Sequence, residues 1–209
     1  RQIEQRTAML TGVSHDLRTI LTRFRLQLAV AGTKSSNLKE LDKDIDDMQS
    51  MLEAYMSFAR GEAAEGTGSF DLAGYLEKLS TEARLRKRKL TAKLTGETEV
   101  LVRPNAFARL LSNLIGNAFR YAKNVRITAS HTRGFLTVII DDDGPGIPLE
   151  RREDVFKPFV RLDEARNQDS GGTGLGLSIA RDIARSHGGD ITLDDSPLGG
   201  LRAVVRVPA

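Results

Sequence analysis

Apolar residues recur through the first sixty positions at helical spacing. Leu38, Leu41, Ile45, Met48, Leu52, Tyr55 and Ala59 step by three and four residues in alternation. Leu10, Val13, Leu17, Ile20 and Phe24 repeat the pattern, with Ile3 one heptad earlier. A seam of this kind predicts two helices. AGTKSSN, residues 31–37, breaks it with Gly and Ser, so the helices are expected to run antiparallel through a short loop. One apolar stripe on a two-helix hairpin is not fully covered, and pairing two hairpins into a four-helix bundle would bury it. A homodimer is the resulting expectation.

The pattern changes after GEAAEGTGS, residues 61–69, whose small, polar, glycine-rich composition reads as a linker. The expected division is a helical hairpin over 1–60, a linker over 61–69 and a second domain over 70–209. In that domain strands and helices alternate. SFDLAGYLEKLSTEARLRKR predicts a helix with Asp71 as N-cap. KLTAKL and TEVLVR predict short strands. PNAFARLLSNLIGNAFRYA, 104–122, predicts a helix opened by Pro104, with Phe107, Leu110, Leu111, Leu114, Ile115 and Ala118 on one broad face. NVRITASH and GFLTVIIDDDG predict a hairpin through TRG. SGGTGLGLSIARDIARSHGG, 170–189, predicts a glycine-rich entry into an amphipathic helix striped by Leu175, Ile179, Ile183 and Ala184 and stopped by Gly188 and Gly189. The fold class is therefore α+β, a helical hairpin followed by an α/β domain.

Composition narrows the classes. The chain has 209 residues, 40% hydrophobic and 28% charged, as an ordinary folded protein does. It has no cysteine, which removes disulfides, thiolate chemistry and cysteine-ligated metal. No apolar run approaches the roughly 20 residues that span a bilayer, and no signal peptide is visible. Arg1 falls within a helical pattern, which reads as the interior of a longer protein. The net charge is only +3, with nine Lys/Arg against eight Asp/Glu in residues 1–60 and 22 against 20 in the remainder. No basic stripe interleaved with aromatics exists, so nucleic acid is not an expected partner.

Four stretches carry candidate chemistry. GVSHDLRTILTR, 12–23, holds His15, which falls roughly 180° from the centre of its helix stripe at about 100° per residue. Thr19 shares that outward face, and Asp16 lies one residue round. An outward histidine is either an inert surface residue or a presented nucleophile, and both readings stand on these residues alone. Asn113 and Asn117 sit four apart on one helix side, as a polar site or as solvated amides. DDDGPGIP, 141–148, ends a strand with three carboxylates that repel unless water or donors meet them. Its Gly144 and Gly146 permit close backbone approach or positive φ. The glycine-rich helix entry at 171–176 presents N–H groups suited to an anion, yet it is neither a Walker A loop nor a Rossmann fingerprint. Between the two glycine turns, LERREDVFKPFVRLDEARNQDS has the length of a mobile lid, with Phe156 and Phe159 embedded in it.

Taken together the chain resembles the catalytic core of a bacterial sensor histidine kinase, close to the EnvZ-type osmosensor branch. SHDLRT resembles the H-box, NLIGNAFRYA the N-box, DDGPGI the G1 box, FKPF the F-box and GTGLGL the G2 box, all in family order. The resemblance implies a dimerisation and histidine-phosphotransfer hairpin followed by an ATP-binding α/β sandwich of the Bergerat (GHKL) type. It implies His15 as phosphoacceptor, Asp16 orienting or deprotonating its imidazole, and Thr19 aligning water to dephosphorylate the partner. It implies Asn117 as Mg²⁺ ligand with Asn113 assisting, and Arg120 and Tyr121 near the phosphates and base. Asp142 would accept from the adenine amino group beside Gly144, Gly146 and Ile147. Thr173, Gly174, Leu175, Gly176 and Leu177 would supply the phosphate cradle, and the lid with Phe156 and Phe159 would close over ATP.

The implied partners are a second copy of the chain and the receiver domain of a response regulator. The implied setting is the cytoplasmic part of an inner-membrane protein, joined to the membrane only through segments outside this chain. One position departs from the family, which usually has proline after HDLRT; here it is Ile20. Proline would remove a backbone donor and bend the helix. Ile20 lies on the seam, so phosphatase activity and interdomain mobility are expected to change more than ATP binding. Two alternatives remain: a Bergerat-fold ATPase or nucleotide-binding module without phosphohistidine chemistry, and an inactive interacting relative. The outward His-Asp-x-x-Thr speaks against the first and the unbroken nucleotide motifs against the second.

Overall fold

The computed structural model describes Ile45, residues 65–158, residue 160 and residues 174–209. Apart from Ile45, which is helical and buried, the expected hairpin lies outside the described residues. So do His15, Asp16, Thr19, Ile20, Phe159, Thr173 and half of the expected lid.

The α/β unit runs β1 (Gly68–Asp71), α1 (Leu72–Leu85), β2 (Lys89–Gly96), β3 (Glu99–Val102), α2 (Pro104–Tyr121), β4 (Asn124–Thr132), β5 (Phe135–Asp142), two 3₁₀ turns (Leu149–Arg151 and Asp154–Phe156), α3 (Gly176–Ser186), β6 (Asp190–Asp195) and β7 (Leu201–Pro208). Five strands form one sheet in the order β2–β4–β5–β7–β6, and β1 pairs β3 in a small second sheet. β2 runs parallel to β4, while the pairings β4–β5, β5–β7 and β7–β6 are antiparallel. The pleat sorts the side chains. Val125, Ile127 and Ala129 stand in register with Asp142, Ile140 and Val138, and Val138 with Val205. These residues are buried, as are Leu136, Ala203, Val207 and Ile191. Onto that face α2 lays Phe107, Leu110, Leu111, Leu114, Ile115 and Ala118, and α3 lays Ile179, Ala180, Ile183 and Ala184. Helices on one face of a mostly antiparallel sheet make a two-layer sandwich. No described helix is long and apolar enough to cross a membrane.

Local chemistry sets the boundaries. Arg133 and Gly134 turn the β4–β5 hairpin with φ 55° and 74°, the left-handed pair that a two-residue type I′ turn demands. Asp71 caps α1 by accepting from the Gly74 N–H at 2.9 Å, as its sequence position predicts. The preceding residues differ from expectation, because Ser69 and Phe70 belong to a strand rather than to the helix. Phe70 packs edge-on to Phe107 and against Tyr75, tying the small sheet to the helix layer. At α2 the cap comes from Glu65, whose carboxylate accepts the N–H groups of Asn105 and Ala106 at 2.8 and 3.0 Å. These are first-turn donors with no intrahelical partner. The segment expected as a linker is therefore part of the fold from Glu65 onward. α3 ends in a Schellman turn: Gly188, at φ 79°, donates to Arg185 O and Gly189 donates to Ala184 O.

Candidate functional site

The three consecutive acids at the end of β5 have three separate fates. Asp141 is buried and grips Arg202 of β7 through both oxygens, at 2.7 and 3.0 Å. Asp143 accepts from the backbone N–H of Lys123 and of Asn124, each at 2.8 Å, and from the Asn124 side-chain amide. The hydrogen bonds from Asn124 hold its carboxyl below the usual carboxylate range. Asp142 lies between these two. Its Oδ1 accepts from the Gly144 N–H at 2.8 Å and the Leu201 N–H at 3.0 Å. Among the described residues both bonds go to Oδ1, so Oδ2 keeps its lone pairs. Burial pushes this carboxyl above its usual range; the two N–H groups oppose that shift, and the charges of Asp143 and Asp141 add to it. The repulsion expected of the triplet is thus met by dividing the donors among its members.

The glycines around Asp142 are constrained in two ways, Gly144 by close neighbours and Gly146 by its left-handed φ. A Cβ on Gly144 would lie 3.0 Å from Asp142 Oδ1 and 3.2 Å from the Tyr121 carbonyl oxygen. One on Gly146, at φ 71°, would lie 3.5 Å from the Gly200 carbonyl oxygen. The last turn of α2, the loop 144–146 and the β6–β7 turn therefore meet at Asp142. Arg152 braces this loop from beyond: its Nε donates to Ile147 O at 3.1 Å, and its guanidinium also bonds Asp194 and Asp195 of β6. Ile147 is half-buried, Tyr121 is 46% exposed, and Arg120 is exposed.

A second cluster joins α2 to the start of α3. Asn113 Nδ2 is buried and has no hydrogen-bond partner among the described residues. A Cβ on Gly176 would come to 4.0 Å from Asn113 Oδ1, so the amide faces the first residue of α3. Asn117 is half-buried one turn on. Gly174, at φ 68°, leads into α3, and no side chain among the described residues caps its first turn. Those N–H groups can meet an anion. Leu175 is buried, while Gly176 and Leu177 are half-buried.

Phe156 is buried rather than standing free over the site. Arg181 of α3 stacks its guanidinium 4.2 Å from the ring centre and pairs with Glu153 and Asp190, at 2.7 and 2.8 Å. Sequence reasoning missed Gly200, Leu201, Arg152 and Arg181. A Ser-Pro-x-Gly-Gly turn at 196–200 was the available signal for the first two.

The arrangement fits an adenine nucleotide with its metal. Among the described residues, a buried acceptor with one oxygen uncommitted, an amide nitrogen with no partner beside a helix start, and a first turn with no side-chain cap are complementary to an exocyclic amine and to phosphate oxygens. Among the described residues no group of three or more His, Asp or Glu could hold a metal ion. An ion bound here would depend on an Asn carbonyl and on oxygens that the nucleotide brings, as suits Mg²⁺.

Fold and site thus define a nucleotide-binding α/β sandwich. Residues 102–209 match the family described as histidine kinase-, DNA gyrase B-, and HSP90-like ATPase, and the chain belongs to that family, as a catalytic core of the sensor histidine kinase type. It is 34% identical over 219 aligned positions to the sensor histidine kinase CpxA of Escherichia coli K12, a match that covers 100% of this chain and 48% of that protein. The chain therefore spans about half the length of the relatives it matches. Among solved structures, the ATP binding domain of PrrB from Mycobacterium tuberculosis is 28% identical, with TM-score 0.54, covering 68% of this chain and 97% of that one. Full-length ShkA in complex with AMPPNP shares the fold, with TM-score 0.76 at 24% identity over 96% of this chain and 45% of that one.

Proposed function

We propose that this chain is an autokinase core that binds Mg-ATP, phosphorylates His15 and passes the phosphoryl group to an aspartate on a response-regulator receiver domain. The observation that carries the nucleotide half is Asp142, a buried carboxylate whose Oδ1 is saturated by backbone donors while Oδ2 can accept the adenine amino group. The family match and the likeness to a domain solved as ATP-binding support it.

Each residue has a defined task. Asn113 donates its orphaned amide to phosphate oxygen, and the N–H groups at the start of α3 take the developing negative charge. Asn117 would hold Mg²⁺ through its carbonyl, with Arg120 and Tyr121 bordering the nucleotide and Phe156 at the base of the cover over it. Mg²⁺ held there would supply neutralisation of the phosphate charge. In the transfer an imidazole nitrogen of His15 forms the N–P bond, the bond from the γ-phosphorus to the β-bridging oxygen breaks, and ADP departs with that electron pair. The proton left on the other ring nitrogen is held or taken by Asp16. A free imidazole has a pKa near 6.5, so much of it is neutral and nucleophilic at pH 7. Thr19, one turn along, would align water on the phosphorylated partner, giving phosphatase activity. The apolar seam of residues 1–60 supports a homodimer, and the sensor names of the relatives support a two-component partner.

Labelling with γ-³²P-ATP tests the reading. Wild type should acquire an acid-labile, base-stable label that transfers to a receiver domain. His15→Gln and Asn117→Ala should acquire none, at a detection range of about a hundredfold. Label that persists in His15→Gln removes the phosphohistidine claim. ATP hydrolysis with no protein label points instead to a Bergerat-fold ATPase.

A further inference from the structure

We infer that Gly200 and the Leu201 N–H are specificity determinants: the β6–β7 turn fixes the Asp142 carboxylate so that Oδ2, and not a swinging oxygen, meets the exocyclic amine of a 6-aminopurine. The inference rests on the reading of Asp142 as the base acceptor and assigns its selectivity to an element 59 residues away in sequence.

The geometry is confined to one point. Ser196 O accepts from the Gly199 N–H, with Pro197 at the second turn position and Gly199 at φ 100°, so the chain reverses tightly and delivers Gly200 against the end of β5. There Gly200 N donates to Asp142 O at 3.1 Å, and Leu201 N donates to Asp142 Oδ1 at 3.0 Å. One strand end thus holds both the backbone and the side chain of the acid. A Cβ on Gly200 would lie 2.3 Å from Asp142 Oδ1, 2.4 Å from Gly144 N and 2.7 Å from Asp142 O. It would clash with both ends of the Gly144 N–H to Oδ1 bond, which spans 2.8 Å. Gly200 is buried and its φ is not in the left-handed range, so alanine is resisted there not by its own φ but by the packing at Asp142: the carboxylate Oδ1, the Asp142 carbonyl oxygen and the Gly144 N–H it holds. Gly199 is the reverse case: its left-handed φ resists a side chain, but nothing lies within 4 Å of an added Cβ. The two glycines of one turn therefore separate a requirement of the turn from a requirement of the site.

A carboxylate with two backbone donors on one oxygen cannot rotate without breaking a charge-assisted bond, and such bonds are the strong ones. A site that hydrogen-bonds a polar group of its ligand rejects the analogue lacking it, because the site's own group is then left unpaired. Selectivity for the amine should therefore depend on what holds Asp142 still.

The test compares ATP with purine riboside 5′-triphosphate, which lacks only the 6-amino group, by equilibrium binding to the whole chain with Mg²⁺. Wild type should prefer ATP by about tenfold to a hundredfold, the range of a bond to a charged group. Gly200→Ala should bring the ratio close to one, with ATP losing more affinity than the analogue, which makes no amine contact to lose. Gly199→Ala should lower the melting temperature yet keep the wild-type ratio. Replacing the Leu201 amide by an ester, which deletes the donor and adds no atom, should also lower the ratio, and it remains informative if Gly200→Ala does not fold. A wild-type preference that survives both changes overturns the inference and leaves the reading of Asp142 intact. A wild type with no preference overturns that reading and the inference with it.

Discussion

Two carboxylates in this sandwich are held in opposite ways. Asp142, at the end of β5, is gripped by backbone N–H groups and flanked by two more acids. Asp190, at the start of β6, is gripped by cations: Arg181 at 2.8 and 3.2 Å and Arg185 at 3.3 Å, with the Ile191 N–H at 2.8 Å. For Asp142 burial prevails and the carboxyl is pushed up. For Asp190 burial also opposes the charge, but Arg181, the Ile191 N–H and Arg185 outweigh it and bring the carboxyl to about 2. On the proposed function the contrast separates a working group from a structural one. Neutral donors orient a carboxylate without consuming its charge, which stays available to a ligand. Guanidinium groups neutralise it where it stands, and Asp190 then ties α3 to the sheet while Arg181 also clamps Phe156.

The largest expected effect breaks the working side of that contrast. In Asp142→Asn the Gly144 and Leu201 donors claim the amide oxygen, so the NH₂ turns toward the base and faces another donor. ATP affinity should fall about a hundredfold or more, because a donor–donor clash replaces a charge-assisted bond. Stability should hold or rise, since a buried charge beside two like charges is removed. Titration calorimetry and a thermal melt check both halves; a variant that loses stability and affinity together would make Asp142 a structural acid like Asp190.

The converse variant acts on the fold. Asp190→Asn leaves Arg181, whose side chain is only 12% exposed, with Glu153 as its remaining carboxylate among the described residues. Because Asp190 is itself 41% exposed, water screens part of the pair, and the expected loss is about 1 kcal/mol rather than the several of a fully buried pair. Urea denaturation reads it. ATP affinity should stay within about twofold, a shift of about 0.4 kcal/mol; a larger drop would show that the clamp on Phe156 reaches the nucleotide.

The same division explains what was legible beforehand. The apolar face of α2 could be read because helical period and core burial are local, and all six of its expected residues are buried. The Asp71 cap and the Gly188 stop are also local, one residue type at one position. The glycine turns could be placed as sites but not resolved, since three adjacent acids look alike until their donors arrive from Lys123, Asn124, Leu201 and Arg202. Those donors come from strand register, which a linear pattern does not encode. β6 and β7 went unread for the same reason, and with them Gly200, whose small size matters only because Asp142 lies against it. Glu65 looked like linker because its helix partners lie 40 and 41 positions away.

The subtlest expectation sharpens the comparison by pH. Asp190 has a folded value of about 2, below the roughly 3.9 of a free aspartate, so its contribution to stability is complete above that free value and is lost as pH falls from about 4 toward about 2. Asp142 is displaced the other way. Its carboxyl takes a proton at higher pH than a free aspartate does, and the acceptor for the base amine is then lost while Asp190 is still ionised. Selectivity should therefore fade on acidification before the fold weakens. Phosphate protonation would confuse ATP affinity alone, but purine riboside triphosphate carries the same phosphates, so the ratio of the two affinities removes the phosphate contribution, and titrating the free nucleotides corrects for protonation of the base itself. That ratio should fall at a pH above the onset of the stability loss, and Asp190→Asn should flatten the stability curve below about pH 4 without moving the ratio. A ratio that stays level while urea stability declines would mean that Asp142 keeps its charge as firmly as Asp190, and the two carboxylates would no longer differ in kind.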